Sequence, residues 1–248
     1  MWVWGIWMKL ALFTVTYSGH WYRGCHLTLE EQISKAREFG FDGLSIEARR
    51  PVASPIDFDR KGLLEIRELA ESEGVEICAV ETMSNFASPI LEDRERNLLM
   101  VKESMRMASA LGAPIVKVFA AWSGITLRDR LATYELARRY VYPDVTALEQ
   151  WNWCVEGVKE ATSWAEEYGI TLALQNHGPI LKPGYESALE MAKEVEADNL
   201  KLCLDVPLFG DRQDDAYIAE AVEACRDLIV HSHYGSWNFR ETPSGEAV

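Results

Sequence analysis

The sequence predicts an α/β protein: a (β/α)8 TIM barrel whose eighth βα unit is absent from the chain. Three observations lead there. A phrase recurs four times, in which a helical segment closes on glycine and a short apolar strand follows: EFGFDGLSIE, SEGVEICAVE, ALGAPIVKVF and EYGITLALQN. Gly40, Gly74, Gly112 and Gly169 suit the left-handed position that ends a helix. Strands alternate with helices through short connections, which implies a parallel sheet. No GxGxxG or GxxxxGK(S/T) loop points to a doubly wound nucleotide fold instead. Finally, the strands end in polar side chains, and in a barrel all strand C-termini open on one mouth. The length of 248 residues is that of an ordinary single barrel.

Residues 1–7, MWVWGIW, are apolar but lack a basic leader region and a small-residue cleavage site, so no signal peptide is expected. They read as an extension outside the fold, with the barrel domain spanning 8–248. The first strand is expected at Leu10–Thr16, followed by a loop rich in Tyr, His and Trp (Tyr17–His26). Thr28-Leu29-Glu30-Glu31 is a capping box that opens the first helix, with Leu29, Ile33 and Ala36 as its buried stripe. The second strand is Gly43–Glu47. A loop with Pro51 and Pro55 leads to a helix near Arg60–Ser72. The third strand, Val75–Glu81, again ends in glutamate. A helix over about Leu91–Leu111 precedes a fourth strand, Ile115–Ala120.

There the rhythm breaks. The insert Ala121–Thr146 contains a short amphipathic stretch, Leu127–Tyr142, and long insertions at a barrel mouth serve as lids, as substrate walls or as plain surface decoration. A second capping box, Thr146-Ala147-Leu148-Glu149, opens a long helix to Tyr168. The fifth strand lies within Ile170–Gly178. A helix near Tyr185–Val195 leads to a sixth strand, Leu200–Asp205, and one near Asp215–Cys225 to a seventh, Leu228–His233. Tyr234–Val248 reads as loop.

Composition narrows the function. The net charge of -14 argues against a nucleic-acid partner, since phosphate binding needs a basic surface. No run approaches the length of a membrane span. The five cysteines show no CxxC spacing. Cys78 and Cys203 lie in apolar runs and read as buried thiols of a cytoplasmic protein. A small-molecule ligand is the expectation, with a homo-oligomer or a partner subunit left open.

Side chains two apart on a strand share a face. In the fifth strand Thr171, Ala173, Gln175 and His177 face one way, small and then polar, while Leu172 and Leu174 face the other. The same parity groups Glu47 with Ser45, Glu81 with Ala79 and Ile77, Asp205 with Cys203, and His231 and His233 with Ile229. Polar groups therefore collect at the mouth. Gln175, Asp205 and His233, on consecutive strands, form a candidate metal site. Its oxygen-rich donor set with one imidazole suits Mn²⁺ or Mg²⁺, with Co²⁺ and Zn²⁺ as further fits. His231 lies one pleat deeper and is expected to orient a neighbour or touch substrate. Asn176, of opposite parity, reads as a supporting or turn residue.

With these residues in place the chain resembles the xylose-isomerase-like TIM barrels, the sugar phosphate isomerase/epimerase superfamily, over roughly residues 8–245. The superfamily includes ketose 3-epimerases, inosose dehydratase, hydroxypyruvate isomerase and AP endonucleases. In it the fifth strand ends in a metal-binding Glu, often followed by Asn-His, as LALQNH does here with Gln175 in place of Glu. The sixth ends in Asp, matching Asp205 in LCLDVP. The seventh carries an HxH whose second His binds metal, matching His233 in HSHYGS. The resemblance also implies a substrate-contacting arginine, for which Arg240 is the nearest match, displaced by one position. It implies a fourth ligand, a Glu ending an eighth strand, which this chain lacks.

The expected function is a divalent-metal-dependent isomerase or epimerase of a sugar or keto-sugar, acting through an enediolate. Candidate bases are Glu47, Glu81 and His177. Trp21, Trp122 and Trp237 are placed to stack on sugar faces or to pack the core or lid. Gln175 cannot take a proton as glutamate can, so two-base epimerisation loses one partner. A lyase working by β-elimination, a dehydratase or keto-glycoside deglycosidase, is the alternative. A barrel that binds sugar or a partner subunit without catalysis is the alternative of another class. A seven-strand barrel would leave the first and last strands unpaired. The sequence is therefore expected to represent a longer chain that supplies the missing strand.

Overall fold

The computed structural model describes residues 8–21, 26–135, 142–210 and 214–234. Its main element is a seven-stranded, wholly parallel sheet: β1 (Ala11–Phe13), β2 (Gly43–Glu47), β3 (Glu76–Glu81), β4 (Ile115–Val118), β7 (Thr171–Gln175), β8 (Leu200–Cys203) and β9 (Ile229–His231), neighbours in that order. The helices α1 (Leu29–Glu38), α2 (Arg60–Glu73), α3 (Leu91–Leu111), α4 (Ala147–Tyr168), α5 (Glu186–Val195) and α6 (Asp215–Cys225) alternate with these strands. Residues 126–133 form a separate two-stranded hairpin, β5 (Thr126–Arg128) and β6 (Leu131–Thr133).

The local signals act as their chemistry requires. Thr28 and Glu31 close the capping box of α1, and Thr146 and Glu149 that of α4, each through reciprocal side-chain and backbone bonds. Gly40, Gly74, Gly112 and Gly169 all have φ between +65° and +76°, the region where a Cβ is strained. Between sheet and helices lies the core, where Leu44, Ile46, Val80, Val116, Leu172 and Leu174 are fully buried.

The sheet is rolled. Phe13, on one edge strand, stacks on His233, just beyond the other: the ring centroids are 4.9 Å apart and the planes 14° from parallel. In a flat sheet six strand spacings of about 4.8 Å would hold these edges nearly 30 Å apart. Among the described residues no eighth strand hydrogen-bonds between β1 and β9.

Several sequence expectations need correction. β1 stops at Phe13, and Thr14–Tyr17 form a 3-10 turn. The segment from Leu127 begins as the β5–β6 hairpin, because Asp129 and Arg130 both adopt positive φ, the geometry of a tight type I′ turn; residues 136–141 lie outside the described residues. Ile77 does not share a face with Glu81. The β2–β3 register slips by one residue at Cys78, so Ile77 pairs with Leu44 and joins the outer core, while Ala79 and Glu81 pair with Ser45 and Glu47. The same slip at Val230 pairs Ile229 with Leu202 and His231 with Cys203. Cys78, the extra residue of the first slip, is only partly buried. Residues 1–7, Trp237 and Arg240 fall outside the described residues.

Candidate active site

The mouth is built by residues at or just after the C-terminal ends of β2, β3, β7, β8 and β9. β2 ends in Glu47, 3% exposed, whose backbone N–H donates to Thr14 Oγ1 at 2.8 Å. The early end of β1 thus has a use: the 3-10 turn brings the Thr14 hydroxyl to the β2 backbone. Arg49 Nη2 donates to Glu47 Oε1 at 2.8 Å, and Glu47 Oε2 is buried with no hydrogen-bond partner. Burial pushes the Glu47 carboxyl above the usual range, against the pull of Arg49.

Glu81, at the end of β3, is fully buried and heavily engaged. Its Oε1 accepts from Ser45 Oγ and lies 2.8 Å from His233 Nε2 and 3.4 Å from His231 Nε2. Lys117 Nζ, from β4, sits 3.4 Å from Oε2. Burial works against the charge on Glu81, but His233 and Lys117 outweigh it and hold the carboxyl well below the usual range. Lys117 itself is 1% exposed. Its signal in the sequence is a lone lysine in the apolar run PIVKVF.

Gln175, Asp205 and His233 converge. Gln175 Nε2 donates to Asp205 Oδ2 at 2.5 Å and lies 3.4 Å from His233 Nδ1. His233 Nδ1 is 3.1 Å from Asp205 Oδ2, and the His233 backbone N–H donates to Asp205 Oδ1 at 2.8 Å. Burial opposes a charge on His233, yet Glu81 and Asp205 raise the imidazole to about 10. Gln175 Oε1 is buried with no hydrogen-bond partner. Asn176 supports the group from the opposite face: its Oδ1 accepts from the Asp205 N–H at 2.7 Å, and its Nδ2 donates to the Asp205 and Gly184 carbonyls at 3.1 Å each.

A cavity of about 230 Å³ opens above these groups, and Glu47, Lys117, Gln175, His177 and His233 all contribute to its wall. Its apolar side is a nest of rings: Trp122 stacks on Phe119 at 4.6 Å, and His177 packs on both, at 5.0 and 5.1 Å. Tyr134, just after β6, and Trp21 close this side, their rings 5.4 Å apart. The insert is therefore part of the cavity wall. His231 is absent from that wall and lies below, against Glu81. A second hollow, of about 270 Å³, lies beside Arg49 and Arg50 and takes no residue from β7, β8 or β9. The chemistry belongs to the first, where carboxylate, amide and imidazole meet. Three potential ligand atoms, one each from Cys203, His231 and His233, lie within 4.8 Å of one another.

A rolled parallel sheet whose strand ends gather carboxylates, imidazoles and a metal-capable cluster defines a TIM-barrel protein with its site at the C-terminal mouth. The chain belongs to the xylose isomerase-like TIM barrel family, whose model matches residues 33–248. Among curated proteins it is 28% identical over 173 residues to fructoselysine 3-epimerase of Escherichia coli O157:H7, covering 68% of this chain. The match spans about half, 54%, of that relative's length. Among solved structures it is similar to D-psicose 3-epimerase from Clostridium cellulolyticum H10, crystallised with D-tagatose. There the TM-score is 0.73 and the identity 18%, covering 94% of this chain and 75% of that one. It is also similar to the IOLI protein solved with a zinc atom, with a TM-score of 0.68 and 18% identity over 91% of this chain and 72% of that one. Among the described residues no helix is long and apolar enough to cross a membrane.

Proposed function

We propose that this barrel is a divalent-metal-dependent isomerase or epimerase of a sugar or keto-sugar, working through an enediolate. The observation that carries the reading is one cavity shared by Glu47, Gln175, His177 and His233. The donor set suits a divalent ion. Gln175 offers a buried carbonyl oxygen without a partner, Asp205 a carboxylate and His233 a ring nitrogen beside it. Two oxygens and one imidazole favour Mn²⁺ or Mg²⁺, and zinc is the ion of one solved neighbour. Held by Gln175, Asp205 and His233, such an ion supplies Lewis acidity to a carbonyl and its neighbouring hydroxyl.

Glu47 takes the proton from the carbon beside the carbonyl. Its Oε2 lacks a partner and burial raises its basicity, while Arg49 and Thr14 fix its position. Glu81 is poorly suited to that task, because Oε1 is held by Ser45 and the imidazoles and Oε2, itself without a hydrogen-bond partner, faces the Lys117 ammonium at 3.4 Å, which keeps the carboxyl well below the usual range; it anchors His233 instead. His177 returns a proton from another side of the cavity. Its Nδ1 lies 2.7 Å from the Gly178 carbonyl oxygen, which accepts only if Nδ1 carries the hydrogen, so Nε2 bears the lone pair in the neutral ring. Strands β3 and β4 separate Glu47 from the β7 end that carries His177. The second base that Gln175 cannot be is thereby supplied. Trp122 and Phe119 offer an apolar wall for the C–H face of a sugar.

The test is a panel of keto-sugars, phosphorylated and free and including fructoselysine, incubated with Mn²⁺ in D₂O. The expected result is deuterium at the carbon beside the carbonyl with inverted stereochemistry. Loss of water or an aglycone instead would select the lyase reading, which the amide at Gln175 favours. Saturable binding without exchange would select the non-catalytic one.

A further inference from the structure

His233 presents its two ring nitrogens to two different sets of side chains. Nδ1 faces Asp205 and Gln175 at the mouth, at 3.1 and 3.4 Å. Nε2 faces inward, 2.8 Å from Glu81 Oε1, and that oxygen lies 3.4 Å from His231 Nε2. Cys203, fully buried on β8 and paired in register with His231, joins them: its sulfur and one nitrogen of each histidine lie within 4.8 Å of one another. Cys203 Sγ also donates to Asp205 Oδ1 at 3.6 Å, and neither Cys203 nor His231 lines the cavity.

We propose that the barrel interior holds a second divalent-ion site, formed by Cys203, His231 and His233 with Glu81, which lies against both histidines, as the fourth ligand, and selective for Zn²⁺ over the harder ions that suit the mouth. One thiolate, two imidazoles and one carboxylate make a four-coordinate set of the borderline-soft kind that zinc prefers. In a tetrahedral zinc site with bonds of about 2.0–2.3 Å, neighbouring donors stand about 3.3–3.7 Å apart. The 3.4 Å and 2.8 Å separations around Glu81 Oε1 bracket the lower end of that range, so the site closes by modest side-chain shifts.

Charge balances. The ion replaces the Cys203 thiol proton, which leaves to solvent as the S–Zn bond forms, and displaces any proton from the two inward nitrogens. Thiolate and carboxylate then offset the two positive charges. Lys117 remains on Glu81 Oε2 and turns the other oxygen toward the histidines. The site is an alternative to the one at the mouth: a neutral imidazole offers a single lone pair, so His233 holds an ion on its inward side or beside Asp205, not on both at once.

The experiment titrates the chelator-treated full chain with Co²⁺, a coloured stand-in for Zn²⁺. Wild type should show thiolate-to-Co²⁺ charge transfer in the near ultraviolet with tetrahedral-type visible bands, both abolished by excess Zn²⁺. Cys203→Ser should remove the charge-transfer band and weaken Zn²⁺ binding by more than about 100-fold, beyond the about 10–100-fold that loss of an outer hydrogen-bond partner costs. Gln175→Ala, which removes a mouth ligand whose side chain bonds Asp205 and His233 Nδ1 rather than Cys203 or His231, should keep the band. A wild-type chain that takes up Co²⁺ without a thiolate band overturns the proposal whatever the variants do. So does a band that survives Cys203→Ser or that disappears in Gln175→Ala. Activity with Mn²⁺ is a separate readout and tests the mouth alone.

Discussion

Glu81 and His233 meet at 2.8 Å, Oε1 to Nε2, although three strands separate β3 from β9 in the sheet. The contact crosses the barrel interior. It exists only because the sheet rolls, and it locks the ring of a candidate ligand from a strand that does not neighbour its own. Removing the cation on the far side of that carboxylate should therefore be costly. Lys117→Met leaves Glu81 Oε2 buried without its charge partner, and breaking one side of a buried pair costs about 3–5 kcal/mol. Urea unfolding should show a loss of that order. A midpoint within error of wild type would remove Lys117 from the account.

Glu47→Gln keeps the shape and the Arg49 contact but removes the base. Turnover of any accepted keto-sugar should fall about 10²–10⁴-fold, while metal content stays unchanged. Isotope exchange and elemental analysis check the two halves.

The same residue fixes the acid limb of the pH profile. Glu47 works deprotonated, and burial raises its affinity for protons. Activity should therefore fall, as pH drops, at a pH above the ordinary carboxylate range. A limb at or below that range would assign the proton transfer to another group.

Gln175→Glu should change the protein in opposite directions with and without metal. The amide N–H now bridges to Asp205 at 2.5 Å. A second carboxylate there meets like charge, so the chelated variant should melt below wild type. With Mn²⁺ present the added charge should tighten binding and narrow or reverse the difference. Thermal melts across a Mn²⁺ titration measure both; identical curves for the two proteins would show that position 175 touches no ion.

Gly157→Ala tests packing behind the site. A Cβ on this residue of α4 would lie 2.6 Å from Phe86 Cγ. Alanine is the better helix former by about 1 kcal/mol, but forcing the fully buried Phe86 aside should cost about 1–3 kcal/mol. Net destabilisation is expected, and a raised melting temperature would show that the ring moves freely.

Much of this architecture was legible in sequence because its signals are local. Capping boxes, terminal glycines and apolar runs each depend on a few neighbouring residues, and they put all the parallel strands within a few residues of their observed positions. Parity brought Gln175, Asp205 and His233 to one point. It misplaced Ile77 and Ile229 because a one-residue slip reverses every side chain before it, and register is a property of strand pairs. The hairpin from Leu127 escaped for a similar reason, since positive φ at Asp129 and Arg130 is uncommon for such residues. Lys117 was missed because it makes sense only beside Glu81, from another strand.

The stack of Phe13 on His233 also orders events in time. The two rings belong to opposite ends of the described chain, and every other strand of the sheet lies between them. Contacts between positions so remote in sequence form late, after the loop they close has been shortened by the structure inside it. The edge that carries the last imidazole should thus be the final piece to dock. A fluorescent or hydrogen-exchange probe at that edge should lag behind one on β3 and β4 during refolding. The capacity to bind an ion through His233 should appear only once that edge has docked.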